Sequence, residues 1–427
     1  MPEIGRRTST IVSAAGQPQP YLRRHKPDYW LLILSAILLA IGLIVVYAIS
    51  PALVVEKQVN GSFFVLRQLA AIGLGVIIFA ITSRLPLDTW RSWGKPLLVV
   101  AGMVTLMALL LPANPQYPAH RWIRLGGFSF QSVELLKFAF LIWLAAFLGG
   151  RVQNGTVQNP KELFKPLGIA AAVLFAVVAW RQSDFGSMMV MMAMMGAMVL
   201  MAGIPLRRVL LVGGVLVLLA TLTISAVPYR RARVTAFLNQ GNTSSNCASL
   251  QSGYQACQAL IAVGSGGMVG LGLGRSVQAF GYLPEAENDS IFAIYAEKFG
   301  FIGIAVLLGL FLAFFARIKR VMERAPNTFT RLLVTGVFAW LTAQAIINIG
   351  AMIGLLPLKG ITLPFISYGG TSVLFVMAAV GLVFQISRYT SYSVPEMGAG
   401  KGRTDYENSR DRRRVRGAYH PGSGSRT

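Results

Sequence analysis

Three carboxylates crowd one short stretch: Glu285, Glu287 and Asp289 fall within five residues of a chain holding 16 Asp+Glu against 39 Lys+Arg. A long, mostly apolar run, residues 291–315, begins just after them. An acid cluster at the mouth of a membrane helix is costly to bury, so it is expected to face water, a cation or a polar substrate. A carboxylate beside a sugar hydroxyl can accept its proton as a general base. Asp289 is the candidate for that role, and a solvated loop acid is the plain alternative. An ordinary Asp titrates near about 3.9 and is a weak base at neutral pH. The role therefore requires desolvation or an acid neighbour, Glu285 or Glu287, to raise it.

A second charged pair, Glu134 and Lys137, stands three residues apart at the start of another apolar run. That spacing puts both on one helix face. Such a pair can reach out to the membrane interface, or present the lysine as a point charge to an anion such as a diphosphate. Arg121 and Arg124 precede the same run, beside Trp122, where interfacial anchoring competes with donor binding. Asp184 occupies a tight turn between two apolar runs, where an N-cap is the common role. Arg230, Arg231 and Arg233 form a further basic cluster, with a diphosphate site as the sharper reading.

Other patterns point away from chemistry. Glycines 264, 266, 267, 270, 272 and 274 invite a phosphate-loop reading, but Val269 stands at the first glycine position of that motif and Arg275 at its lysine. Close packing of small residues fits better. The methionines between 188 and 195 read as a lipid-facing or core stripe. The three His, at 25, 120 and 420, are far apart, and nothing resembles a His/Cys metal site. Cys247 and Cys257 are the two cysteines, both in the longest connection, and an outside location permits a disulfide between them.

The elements that must position these residues are membrane helices. The chain has 427 residues, is 54% hydrophobic and has a mean hydropathy of +0.59. Apolar runs of about 20 residues, enough to span a bilayer as a helix, recur from end to end. The expected spans are 29–50, 65–83, 96–112, 134–149, 166–180, 186–203, 208–227, 290–316, 331–354 and 371–387. The first reads as a retained span rather than a signal peptide. The fold class is thus all-α and polytopic, with about ten spans, residues 29–388, between basic tails 1–28 and 389–427 that read as disordered.

Ten spans put both tails on one side. Arg6, Arg7, Arg84, Arg91, Arg151, Arg207, Arg208, Arg317, Arg320 and Arg412 all fall there, which makes that side cytoplasmic. The net charge of +23 then reflects orientation and attraction to anionic lipid rather than nucleic acid. The opposite face carries four segments that are not simple turns: 113–133, 181–186, 228–289 and 355–370. Residues 259–274 are expected to pack back onto the membrane domain.

Taken together, those outer segments resemble a known family. Arg121, Trp122 and Ile123 with the run from Gln131 to Lys137 form one signature, and Asp184, Phe185 and Gly186 a second. Tyr254 to Gly274, running into Tyr282, Leu283, Pro284, Glu285 and Asp289, forms a third. Residues 356–372, LPLKGITLPFISYGGTS, form a fourth. The set, spread from the first span to Arg388, resembles the SEDS family (shape, elongation, division and sporulation proteins). The resemblance implies a ten-span fold in the bacterial cytoplasmic membrane, active on its outer face. It implies a peptidoglycan glycosyltransferase that polymerises lipid II onto a growing glycan chain beside a class B penicillin-binding protein.

Asp289 matches the family's essential aspartate, and Glu134 and Lys137 match residues the family requires. Arg121, Asp184, Glu285, Arg230 and Lys359 are expected to help bind substrate. Lys359, Gly360, Ile361 and Thr362 are similar to the division-type branch, which implies septal synthesis with other division proteins. Ser290 stands where the family usually has Phe, and Ser132 and Val133 where it has Pro and Ser. An undecaprenyl diphosphate leaving group removes the need for a nucleotide, and a divalent cation, Mg or Mn, is the expected cofactor. The alternative activities are a lipid II flippase and a scaffold that recruits the transpeptidase.

Overall fold

A computed structural model describes residues 22–24, 26–111, 122–125, 128–226, 231, 235, 237, 253–357 and 360–391. Arg121, Arg230, Cys247 and Lys359, most of the tails and most of loop 228–252 lie outside the described residues. The chain divides into residues 24–390 and a second unit of segments 1–23 and 391–427. The helices all belong to the first.

In chain order they are α1 (Tyr29–Lys57), α2 (Phe63–Thr82), α3 (Leu87–Leu110), α4 (Ser132–Gln153), α5 (Pro160–Leu174), α6 (Phe185–Met201), α7 (Leu206–Ala226), α8 (Tyr254–Ser265), α9 (Ile291–Glu323), α10 (Thr328–Met352) and α11 (Gly370–Ile386). A π-helical turn, Phe175–Arg181, ends α5. Each expected span falls on a helix, and α8 is additional. Among the described residues, α1, α2, α3, α4, α9 and α10 are long and apolar enough to cross a membrane, and α6 and α11 are shorter apolar helices.

Local signals set several ends. Asp28 caps α1, accepting from the Trp30 amide at 3.0 Å. Asn327 and Thr330 form a reciprocal capping box at α10. α1 outruns its expected end at residue 50, because Pro51 is tolerated inside it and Gln58 closes it in the left-handed region. The helix thereby carries Lys57 to the end of the bundle where it meets Glu287.

Burial shows which helices are central. In α4 and α10, 72% and 67% of the apolar window is buried, against 22% for α2 and α3. Lipid-facing positions such as Leu69, Leu74 and Ile77 account for the exposed share. Small residues permit the close crossings, as in other membrane bundles. A Cβ at Gly336 of α10 would lie 2.3 Å from Leu141 of α4 and 2.6 Å from Met198 of α6. The methionine stripe proves to be core: Met188, Met191, Met194, Met195 and Met198 are buried, and Met189 faces out.

The glycine-rich segment closes against a break in α9. Gly300 leaves helical geometry at φ 61°, ψ −163°. Backbone groups freed there are taken up by the segment: the Phe301 amide donates to Gly267 O at 2.9 Å, and the Gly272 amide to Lys298 O at 3.0 Å. The approach is backbone to backbone. A Cβ at Gly270, whose φ is +85°, would sit 2.1 Å from Lys298 O. Gly270→Ala is therefore expected to cost about 2–5 kcal/mol, from a left-handed non-glycine residue plus an overpacked contact. Thermal unfolding in detergent should show a matching fall in apparent Tm. Glu297, fully buried, fixes the next stretch by accepting from the Ser276 hydroxyl and from the Val277 and Gln278 amides, the latter two at 2.8 and 3.1 Å.

Candidate functional site

Between α3 and α4 the chain makes a small antiparallel hairpin, β1 (Trp122–Leu125) paired with β2 (Phe128–Gln131). Its signal is legible afterwards in the sequence, where Gly126 and Gly127 separate the two short strand sequences, and Trp122 and Arg124 are exposed on either side of buried Ile123. The hairpin delivers the chain directly into α4. Glu134 and Lys137 sit on the first turns of that helix.

Both are buried, at 3% and 1% exposure, which excludes the interfacial reading. Lys137 Nζ donates to Glu134 Oε1 at 2.8 Å and to Gln344 Oε1 at 3.0 Å, and lies 5.3 Å from the Trp340 ring centroid. Trp340 Nε1 donates to the same Gln344 oxygen at 2.8 Å. Glu134 Oε2 is buried and makes no hydrogen bond. A buried carboxylate with one oxygen unsatisfied is costly unless a further donor reaches it.

Gln344 is the bridge from this pair to the irregular segment before α11. Its Nε2 donates to Thr362 O at 3.0 Å and to Thr362 Oγ1 at 3.1 Å, and the Thr362 and Ser372 hydroxyls lie 2.9 Å apart. One turn further along α10, Asn348 Nδ2 donates to Ile361 O and to Asp289 O, both at 2.7 Å. Ser367 Oγ donates to Asn288 O at 2.6 Å, and the Tyr368 amide to Glu287 O at 2.8 Å. Asp289 is thus held by its backbone against residues 361–368, half-buried, just before α9. Residues 134, 137 and 289, distant in sequence, are joined through one face of α10.

The other two acids of the stretch have partners within the protein. Glu285 adopts φ 52°, its carbonyl takes the Asn288 and Ser290 amides, and its carboxylate takes the Asn288 side chain. Glu287 is buried and ion-paired with Lys57. That ion pair holds the Glu287 side chain toward α1. Ser290, in the unusual position, is fully buried and joins two elements: it donates to Pro284 O at 2.9 Å and accepts from Gln255 of α8 at 3.0 Å.

Asp184 makes the contacts of an N-cap. Buried at 1% exposure, it caps α6, accepting from the Ser187 amide and hydroxyl, both at 3.0 Å. Arg124 is exposed on β1. Among the described residues, no three or more His, Cys, Asp and Glu come together as a metal site. A divalent cation here fits only as one held by one or two carboxylates and a substrate's phosphates.

Sequence reasoning gave no role to Lys57, Arg67, Gln344 or Asn348, and it took Ser367 and Tyr368 only as part of the fourth signature. Burial pushes the Tyr368 phenol up, opposed by a hydrogen bond and positive charge from Arg67. The missed signal on α10 is two carboxamides four residues apart within an apolar run, which places both on one buried face. Gln344→Leu would leave Lys137 and Trp340 without their shared acceptor. It is expected to cost about 1–3 kcal/mol per unsatisfied buried group, read as a lowered unfolding midpoint.

Residues 29–392 match the family model described as FtsW/RodA/SpoVE cell cycle protein. The chain is 37% identical over 373 residues to the stage V sporulation protein E of Bacillus subtilis, covering 87% of this chain and 99% of that protein. It is 38% identical over 376 residues to a probable peptidoglycan glycosyltransferase FtsW of Coxiella burnetii, with coverage of 85% and 96%. A chain from a study of how a peptidoglycan synthase complex coordinates polymerization and crosslinking superposes with a TM-score of 0.68 at 26% identity, covering 85% of this chain and 98% of that one. The RodA rod-shape protein of Thermus thermophilus gives 0.60 at 25% identity, with coverage of 85% and 97%. The extent of these matches, together with the multi-span helical fold, shows that the chain belongs to the FtsW/RodA/SpoVE, or SEDS, family of cell cycle proteins.

Proposed function

We propose that this protein is a peptidoglycan glycosyltransferase that polymerises lipid II on the outer face of the cytoplasmic membrane. The observation that carries this reading is the linkage of Glu134, Lys137 and Asp289 through Gln344 and Asn348. It places a half-buried carboxylate and a buried ammonium on one framework. The 4-hydroxyl of one lipid II attacks the anomeric carbon of the lipid-linked chain. The new C–O bond forms with inversion as the bond to the diphosphate breaks. Asp289 takes the hydroxyl proton, and Lys137 offers positive charge to the departing diphosphate. Glu134 orients Lys137, and its second oxygen, which makes no hydrogen bond within the protein, would accept one from substrate.

Arg121, Arg230 and Lys359 would add positive charge from the outer segments. Mg or Mn would further screen the diphosphate, and no step here is routed through it. The basic side faces the cytoplasm, which puts Asp289 outside. Residues 359–362 support the division-type branch, with septal synthesis beside a class B penicillin-binding protein and other division proteins. Purified with such a partner, the protein should bind it stably and polymerise lipid II faster than alone. Depletion in a rod-shaped host should give filaments, whereas rounding would assign it to elongation. Absence of binding to every class B protein of the host would remove the pairing.

A further inference from the structure

The far end of α9 from Asp289 holds a second charged feature with no part in that chemistry. Lys26, Arg317, Arg320 and Arg324 converge on one cavity of about 250 Å³, lined also by Asp28, Val321, Ser387 and Tyr389. The three arginines follow one another on α9 at spacings of three and four, so they share a face. Like charges so placed repel one another.

Among the described residues of the lining, one acid faces the three arginines. The Asp28 carboxylate already caps α1 through Trp30, and it lies 3.8 Å from Arg317, too far for a hydrogen bond. Arg317 also packs 5.4 Å from the Trp30 ring centroid. Leaving Lys26 aside, three arginines less one acid leave two positive charges in the lining. The C-terminal dipoles of α9 and α11, about half a charge each, and the opposing N-terminal dipole of α1 leave more than one. The wall is preformed, because the Asp28 amide donates to Ser387 Oγ at 3.0 Å and so ties the start of α1 to the end of α11. An orientation signal alone requires cations on this side of the membrane; it does not require them around one hollow.

Two sources could supply the matching anion, a soluble phosphate compound or a lipid head group. The surface around the cavity favours the lipid. Leu312, two turns before Arg320 on α9, is 69% exposed and offers acyl chains an apolar track leading to the arginines. We infer that this cavity binds the phosphate of an anionic phospholipid in the cytoplasmic leaflet, pinning together the ends of α1, α9 and α11. Basic pockets between helices on that side are suited to such head groups.

The test uses the full chain in neutral detergent, with native mass spectrometry of bound phosphatidylglycerol against phosphatidylcholine. Arg320→Gln with Arg324→Gln removes two exposed charges from the cavity. Arg84→Gln with Arg207→Gln removes two exposed charges elsewhere on the same side. At about fivefold per basic residue, the cavity variant should lose its preference for phosphatidylglycerol by about 30-fold, and the control by no more than about threefold. An equal loss in both variants, or a preference kept by the cavity variant, overturns the site. Displacement of the lipid by millimolar inorganic phosphate overturns the lipid assignment in favour of a soluble phosphate ligand. Melting curves of the three proteins, expected to coincide without added lipid, keep misfolding from imitating the effect.

Discussion

Asp289→Asn is expected to leave the protein folded and bound to its partner while lowering lipid II polymerisation by about 10²- to 10⁴-fold, the usual contribution of a positioned general base. The geometry explains why the fold should survive. Asn348 holds the backbone carbonyl of residue 289, not its carboxylate. The turn before α9 is built by Glu285, Asn288 and Ser290, and Ser290 is further tied to α8 through Gln255. An amide of the same shape keeps all of these contacts and removes the proton acceptor. A matching unfolding midpoint with lost turnover would locate the chemistry at the carboxylate. A midpoint that falls with the activity would make residue 289 structural.

Lys137→Met is expected to damage both stability and activity, and a second substitution should separate the two. Lys137 and Glu134 are 1% and 3% exposed, and removing one partner leaves the other charge buried and unpaired. Such losses run to about 3–5 kcal/mol, whereas replacing both partners by well-packed neutral groups is often neutral or better. The double variant Glu134→Gln, Lys137→Met should therefore regain most of the lost stability, measured by denaturation in detergent. It should not regain polymerisation, because the cation facing the diphosphate is still missing. Recovery of both would make the pair a packing device.

The spans were legible because twenty-residue apolar runs leave few alternatives in lipid, and the basic residues gave the orientation used here. The crowding of acids at 285–289 marked the start of α9. It did not reveal that Glu287 is spoken for by Lys57, since that pairing joins residues 230 positions apart. The hairpin before α4 went unread because four-residue strands inside an otherwise helical chain leave a weak period-two signal. Gln344 and Asn348 stand as polar residues in an apolar run, but their role depends on the irregular segment 361–368, whose path no periodicity encodes. The glycine-rich segment was read correctly as packing; its target, the break at Gly300, is a matter of tertiary structure. Asp184 shows the reverse case, where the local capping rule alone describes the residue's observed contacts.

The most direct test is polymerisation of lipid II in detergent micelles by the purified wild-type protein joined to a class B partner, where nothing has to cross a bilayer. Glycan strands that grow with time are the predicted result. A folded, partner-bound protein that forms no strands from accessible lipid II would contradict the account and favour transport or scaffolding instead.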